Sequence, residues 1–181
     1  MLADVLFFVL SFGLLLPLLI IIHETGHYFM ARIAGVPADR LKFFISFPPY
    51  IALKNWQQEW ITPPDYDEYL KQFHHYDPRQ KFTYFFLAGG ILLETLFLLI
   101  GIVIIYLIPI IPEAYIFILL FLSIFINLIY IIIDMIYSFR RQQPSGDISC
   151  MWYLASRRTI IIFVLFFVIR FGFLYIYFNI L

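Results

Sequence analysis

Apolar residues fall in four long blocks along the chain, at 2–22, 82–107, 114–137 and 160–181. A membrane-spanning helix needs roughly 20 mainly apolar residues, so each block is long enough to cross. The first block keeps a helical pattern to residue 34, where Gly35 and Pro37 supply a stop. Glycine takes the left-handed cap position there, and proline cannot continue the helix. Pro17 predicts a kink ahead of His23. The joining segments are unequal: 35–81 is long, polar and aromatic, 108–113 is a tight turn, and 138–159 is a second polar connection. Within the first connection, 41–47 partly alternates in polarity and is rich in aromatic and β-branched residues. Pro48 and Pro49 interrupt it, and 51–57 resumes the pattern. This predicts a hairpin-like element over 41–57 at the membrane interface, where Tyr50, Trp56 and Trp60 suit the headgroup region. The predicted fold class is an all-α polytopic membrane protein with a single membrane-embedded domain over 1–181. Its four helices lie at 2–34, 82–107, 114–137 and 160–181, with the interfacial element after the first.

Composition strengthens the membrane reading. The chain is 63% hydrophobic and 13% charged, against about a quarter charged in an ordinary soluble domain. The formal net charge is zero, which gives no basis for a nucleic-acid partner. The one cysteine, Cys150, excludes both an intrachain disulfide and a thiolate zinc cage. The first residues carry Asp4 but no Lys or Arg, and the apolar run reaches Ile22 with no small-residue cleavage site. It reads as a retained membrane helix rather than a secretory signal. Lys and Arg concentrate in the two polar connections: Arg40, Lys42, Lys54, Lys71, Arg79 and Lys81 in one, Arg140, Arg141, Arg157 and Arg158 in the other. Both connections are therefore expected to be cytoplasmic, with both chain ends on the opposite side.

The candidate chemistry lies at His23-Glu24-Thr25-Gly26-His27. Residues at i and i+4 share one helix face, so two imidazoles so placed can hold one zinc. The adjacent glutamate can then take a proton from the attacking water. Ionisable groups at membrane depth are expensive and usually functional. A catalytic zinc commonly takes three protein ligands, and the candidates for the third are Asp147, Asp134, Glu94 and the pair His74-His75.

The stretch from His23 to Arg32, with Gly35-Val36, resembles the zinc helix of the site-2 protease family of intramembrane metalloproteases. Ala88-Gly89-Gly90-Ile91-Leu92-Leu93-Glu94 resembles that family's second motif, although Ile91 stands where proline is frequent and Glu94 where asparagine is common. Asn127-Leu128-Ile129, followed by Pro144-Ser145-Gly146-Asp147, resembles the third motif, with a longer gap and a reversed Asp-Gly order. The resemblance implies one zinc per chain, held by His23, His27 and Asp147, with Glu24 as the catalytic base. It also implies that Asn127 donates to the substrate backbone or the developing oxyanion. The implied activity is hydrolysis of peptide bonds in transmembrane segments of other membrane proteins, in a bacterial or archaeal cell membrane, with the active site toward the cytoplasm. The family also suggests that the 41–57 element adds the substrate to a strand edge.

Several alternatives stand beside this reading. Asp134, seven residues after Asn127, competes with Asp147 as third ligand. Asp134 and Glu94 are both possible partners for Arg170 in an intramembrane ion pair. Asn127 can instead bond across helices, and Gly89 and Gly90 fit a role in close helix approach. His74-His75 is expected in a polar loop, and Cys150 in packing. As whole-protein alternatives, the chain is a zinc-binding membrane protein without catalysis that binds other membrane helices, or a component of a cation path. Membrane proteases with a glutamate as third ligand would point to Glu94.

Overall fold

The computed structural model describes residues 2–46, 49–63, 66–108, 112 and 114–180. The architecture is all-α and polytopic. Among the described residues, four helices are long and apolar enough to cross a membrane: α1 (Leu2–Ile33), α3 (Thr83–Leu107), α4 (Ala114–Arg141) and α5 (Asp147–Ile180). The predicted break at Pro48 and most of the predicted 108–113 turn lie outside the described residues.

Helix α1 runs through Pro17 and ends as the sequence predicts. Gly35 has φ +97°, and Val36 N–H donates to the Ala31 carbonyl at 3.0 Å. This closes the last turn with a glycine in the left-handed region. After a 3-10 turn at Ala38–Arg40, the predicted hairpin is a paired sheet of β1 (Leu41–Phe44), β2 (Tyr50–Lys54) and β3 (Trp60–Ile61), antiparallel in the order β1-β2-β3. Alternation sends Leu41, Ile51, Leu53 and Ile61 inward and leaves Lys42, Lys54 and Trp60 on the other face.

Three boundaries differ from the sequence reading. Residues 66–76 form a helix, α2 (Tyr66–Tyr76), so His74 and His75 sit in its last turn rather than in a loop. The chain around them is polar, but Tyr66, Tyr69 and Phe73 fall at i, i+3 and i+7 and bury one face. Helix α4 continues past 137 to Arg141. Helix α5 begins at Asp147 instead of 160, with a break at Ala155 (φ −159°, ψ 73°). A straight helix of this length would span about 50 Å, more than the hydrocarbon core of about 30 Å, and the break divides it into a short arm and a membrane-crossing segment.

Two apolar clusters divide the bundle along its length. One unites the end of α1, the sheet, α2, the start of α3 and the start of α5 through Val36, Leu53, Phe73, Phe86 and Met151. The other joins Leu19, Leu98, Ile116 and Leu120 toward the opposite end. Both polar connections therefore gather at one end of the bundle. Between the clusters, α1 and α3 touch backbone to backbone at Gly26 and Gly89. A Cβ on Gly89 would fall 2.7 Å from the Gly26 carbonyl oxygen, and one on Gly26 would collide with the Gly89 carbonyl. This close approach seats the motif turn of α1 directly on α3.

Candidate metal centre

The helical spacing of His23, Glu24 and His27 brings their donor atoms within 4.8 Å of one another. The two imidazole rings have centroids 5.1 Å apart. Gly90 leaves room for the His23 ring, because a Cβ there would strike it. Glu24 is half-buried, with the backbone of Ile51 in β2 beside its carboxylate.

His27 is buried, and its two nitrogens have different surroundings. Nδ1 lies 2.8 Å from the Phe86 carbonyl oxygen on α3, which can only accept, so the ring proton sits on Nδ1. In the neutral ring, Nε2 then carries the lone pair. It is buried, meets no hydrogen-bond partner among the described residues, and lies 3.2 Å from Asp147 Oδ2. A lone pair facing a carboxylate oxygen at that distance is repulsive unless a cation or a proton stands between them. A buried, tautomer-fixed imidazole beside a carboxylate is the donor set that zinc takes. The residues that group closely enough to hold a metal ion are His23, Glu24 and His27, and Asp147 adjoins them at His27.

Asp147 reaches this position because the short turn after α4 starts α5 there. Two tyrosine hydroxyls orient its carboxylate: Tyr66 donates to Oδ1 at 2.7 Å and Tyr130 to Oδ2 at 3.0 Å. Burial first, and the Asp147 carboxylate second, push the Tyr66 hydroxyl well above its ordinary pKa, so it stays a donor. The sequence reading missed both tyrosines. Tyr130 was open to inference, because residues 127, 130 and 134 share one face of α4 at i, i+3 and i+7. Tyr66 was hidden with the helix that carries it.

The competing aspartate has other work. Asp134 accepts from Ser149 N–H at 2.8 Å, from Ser149 Oγ at 2.7 Å and from Ser138 Oγ at 3.1 Å. It thus secures the first turn of α5, and Gly146 packs directly on its carboxylate. Of the two possible partners for Arg170, Asp134 is not the one it meets. Arg170 is fully buried and pairs instead with Glu94, Nη2 to Oε1 at 3.3 Å. Ser149 reaches Asp134 before any more distant arginine, whereas α3 and α5 pack side by side where Glu94 and Arg170 sit.

Asn127 does not face open space in this arrangement. Its amide nitrogen donates to both Glu94 oxygens, at 2.9 and 3.0 Å, and to the Ser123 carbonyl at 2.9 Å. Both amide hydrogens are therefore taken within the protein, as the cross-helix alternative anticipates. Glu94 approaches the site from the other side, with Oε2 3.5 Å from His23 Nδ1. His74 and His75 lie outside the cluster; His75 packs edge-on against Trp56, with ring centroids 6.0 Å apart. Cys150 is buried in the apolar cluster, as expected.

The chain matches no family model, no curated protein and no solved structure.

Proposed function

We propose that the chain is an intramembrane zinc endopeptidase that hydrolyses peptide bonds within membrane-spanning segments of other proteins. The observation that carries this reading is the buried Nε2 of His27 facing Asp147 Oδ2 at 3.2 Å, one helical turn from His23 and beside Glu24. His23, His27 and Asp147 would hold one zinc ion. When bound, zinc supplies a Lewis acid that lowers the pKa of an attacking water to about 7. Glu24, beside both histidines, would take a proton on its carboxylate from the attacking water and pass it to the leaving amine. Tyr66 and Tyr130 keep the Asp147 carboxylate aimed, and the Phe86 carbonyl keeps His27 in the required tautomer.

A substrate helix hides its carbonyls in internal hydrogen bonds, so it must be unwound before it is cut. Strand β1 pairs only with β2 among the described residues, so its outer edge is available to hold an extended segment by main-chain hydrogen bonds. Ile51 in β2 lies beside Glu24, which connects this sheet to the base. The Lys and Arg distribution supports a site near the cytoplasmic face of the membrane, and the resemblance alone suggests a bacterial or archaeal cell. The resemblance of the 23–36 segment to site-2 proteases supports the same chemistry.

A second reading, a zinc-binding membrane protein that binds other membrane helices without cutting them, draws on one observation. Asn127 turns its amide to Glu94 rather than toward the histidines. One experiment separates the two. The purified chain is reconstituted with zinc and a panel of single-span membrane proteins, beside Glu24→Gln. The protease reading expects one zinc in both forms and cleavage by the native form alone. Zinc with no cleavage of any panel member favours the binding role, and no zinc in the native form overturns both.

A further inference from the structure

Glu94 is an acidic residue in the middle of a membrane helix, and the hydrolytic chemistry just proposed does not use it. It is 2% exposed, and polar side chains from the other three spanning helices converge on it: His23 of α1, Ser123 and Asn127 of α4, and Arg170 of α5, with Thr95 of its own helix beside Arg170. Its Oε1 accepts from Ser123 Oγ, from Asn127 Nδ2 at 2.9 Å and from Arg170 Nη2 at 3.3 Å. Its Oε2 accepts from Asn127 at 3.0 Å and is otherwise turned to His23 Nδ1 at 3.5 Å. Arg170 is fixed in turn by Ser123 Oγ at 2.8 Å, by Thr95 Oγ1 at 3.2 Å and by the face of Phe166, 3.3 Å from the guanidinium carbon.

A guanidinium stays charged even when fully buried, and the carboxylate that Arg170 pairs with is Glu94, Nη2 to Oε1 at 3.3 Å. An ionised carboxylate has no proton to give. Across the gap to Glu94 Oε2, the proton belongs on His23 Nδ1, and Nε2 is left with the lone pair. The same logic already holds for His27, whose Nδ1 is 2.8 Å from the Phe86 carbonyl oxygen. Each histidine of the motif thus has its Nδ1 against an oxygen acceptor carried by α3. Phe86 supplies a backbone oxygen and Glu94 a side chain that reaches back toward the N-terminus of its helix. A purely structural ion pair would need no oxygen turned to the motif helix.

We propose that Glu94, paired with Arg170 and oriented by Ser123 and Asn127, is a positioning residue that sets the ring and tautomer of His23 for metal binding. This rests on the zinc reading above. It also gives Asn127 a role through Glu94 in place of direct contact with substrate. Loss of an outer partner of a metal-bound histidine typically weakens affinity by about 10–100-fold.

The test uses the full chain in detergent. Zinc affinity is read by competition with a chromophoric chelator, and ligand geometry from the visible spectrum of the cobalt(II) form. The variants are Glu94→Gln combined with Arg170→Met, which removes both charges together, and His27→Ala. The expected result is a double variant with native helix content, zinc binding weakened about 10–100-fold and a shifted cobalt spectrum. A folded double variant with native affinity and an unchanged spectrum overturns the proposal and leaves Glu94–Arg170 as a structural pair. Should the double variant not fold, nitrogen-15 NMR of the metal-free native chain, labelled at histidine and assigned with His23→Gln, reads the tautomer directly. A proton on Nδ1 of His23 supports the proposal, and a proton on Nε2 alone overturns it. If the native chain binds no zinc while NMR finds the Nδ1 tautomer, the zinc reading fails, not the positioning of His23 by Glu94.

Discussion

His27 Nε2 and Asp147 Oδ2 lie 3.2 Å apart, joining the end of α1 to the start of α5 across 120 residues of chain, and the nitrogen meets no hydrogen-bond partner among the described residues. Removing either side of this pair should abolish tight metal binding. His27→Ala and Asp147→Asn are expected to lose zinc by more than the about 10–100-fold that follows loss of an outer partner. Asp134→Asn should keep zinc, because Asp134 is committed to Ser149 and Ser138. Metal content of the three purified variants, measured by atomic absorption, checks the assignment. Zinc lost from Asp134→Asn alone would transfer the ligand role to that residue.

Tyr66 and Tyr130 hold the Asp147 carboxylate from two different segments. Tyr66→Phe and Tyr130→Phe remove one hydroxyl each and keep the ring. A hydrogen bond to a charged group is worth about 1.5–3 kcal/mol, so each change should weaken zinc binding measurably while the fold persists. Chelator competition on each single variant and on the pair reads the effect. The double change should be the weakest, because one carboxylate then has neither donor. Equal affinity across the series would mean that Asp147 is aimed by the backbone alone.

The four spans, the α1 stop at Gly35 and the pairing of 41–57 were legible because each rests on a local signal: block length, a glycine–proline stop, alternation. The His-Glu-x-x-His spacing likewise contains its own geometry, since a helix converts i and i+4 into one face. The segment 66–76 was not legible as a helix, because its buried face is aromatic and its remaining positions are charged. That mixture reads as a loop until Phe86 and the sheet are there to receive it. The choice between Asp147 and Asp134 could not be settled by spacing, since both sit near one membrane boundary and only the serines at 138 and 149 separate their tasks. The partner of Arg170 was open for the same reason. Which acid it meets depends on how α3, α4 and α5 rotate against one another, and no local pattern encodes that.

Asp77 links α2 to α3 and makes the stability of this end depend on pH. Burial raises its carboxyl, but N–H groups of Lys81, Phe82 and Thr83 and the Thr83 hydroxyl donate to it and outweigh that effect, leaving it below its ordinary value. A group depressed in the folded state stabilises fully above its unfolded pKa of about 4 and loses that contribution as pH falls through the folded value. Asp77→Asn should therefore cost about 1–3 kcal/mol at neutral pH. The gap between native and variant should close on acidification below about pH 4. Thermal melts in detergent across that range check both halves. A gap that stays constant with pH would assign the loss to shape rather than charge.

Gly26 and Gly89 make the seat of the motif helix, and three other span glycines, Gly13, Gly101 and Gly172, provide internal controls. A methyl group at Gly26 meets the Gly89 carbonyl, so α1 and α3 must separate for Gly26→Ala to fold. Overpacking of this kind costs typically about 1–3 kcal/mol. The separation also withdraws the Phe86 carbonyl from His27 and Gly90 from His23. Gly26→Ala and Gly89→Ala should thus lose stability and zinc affinity together. Gly13 and Gly172 have open space where a Cβ would go, and Gly101 would make only ordinary contact with Leu119 at 3.8 Å. Alanine at these three positions should be neutral or stabilising by up to about 1 kcal/mol, since glycine is the weaker helix former, and zinc affinity should not change. Thermal melts and chelator competition on the five variants give the comparison. Zinc affinity that survives Gly26→Ala would mean that the metal ligands do not depend on contact between α1 and α3.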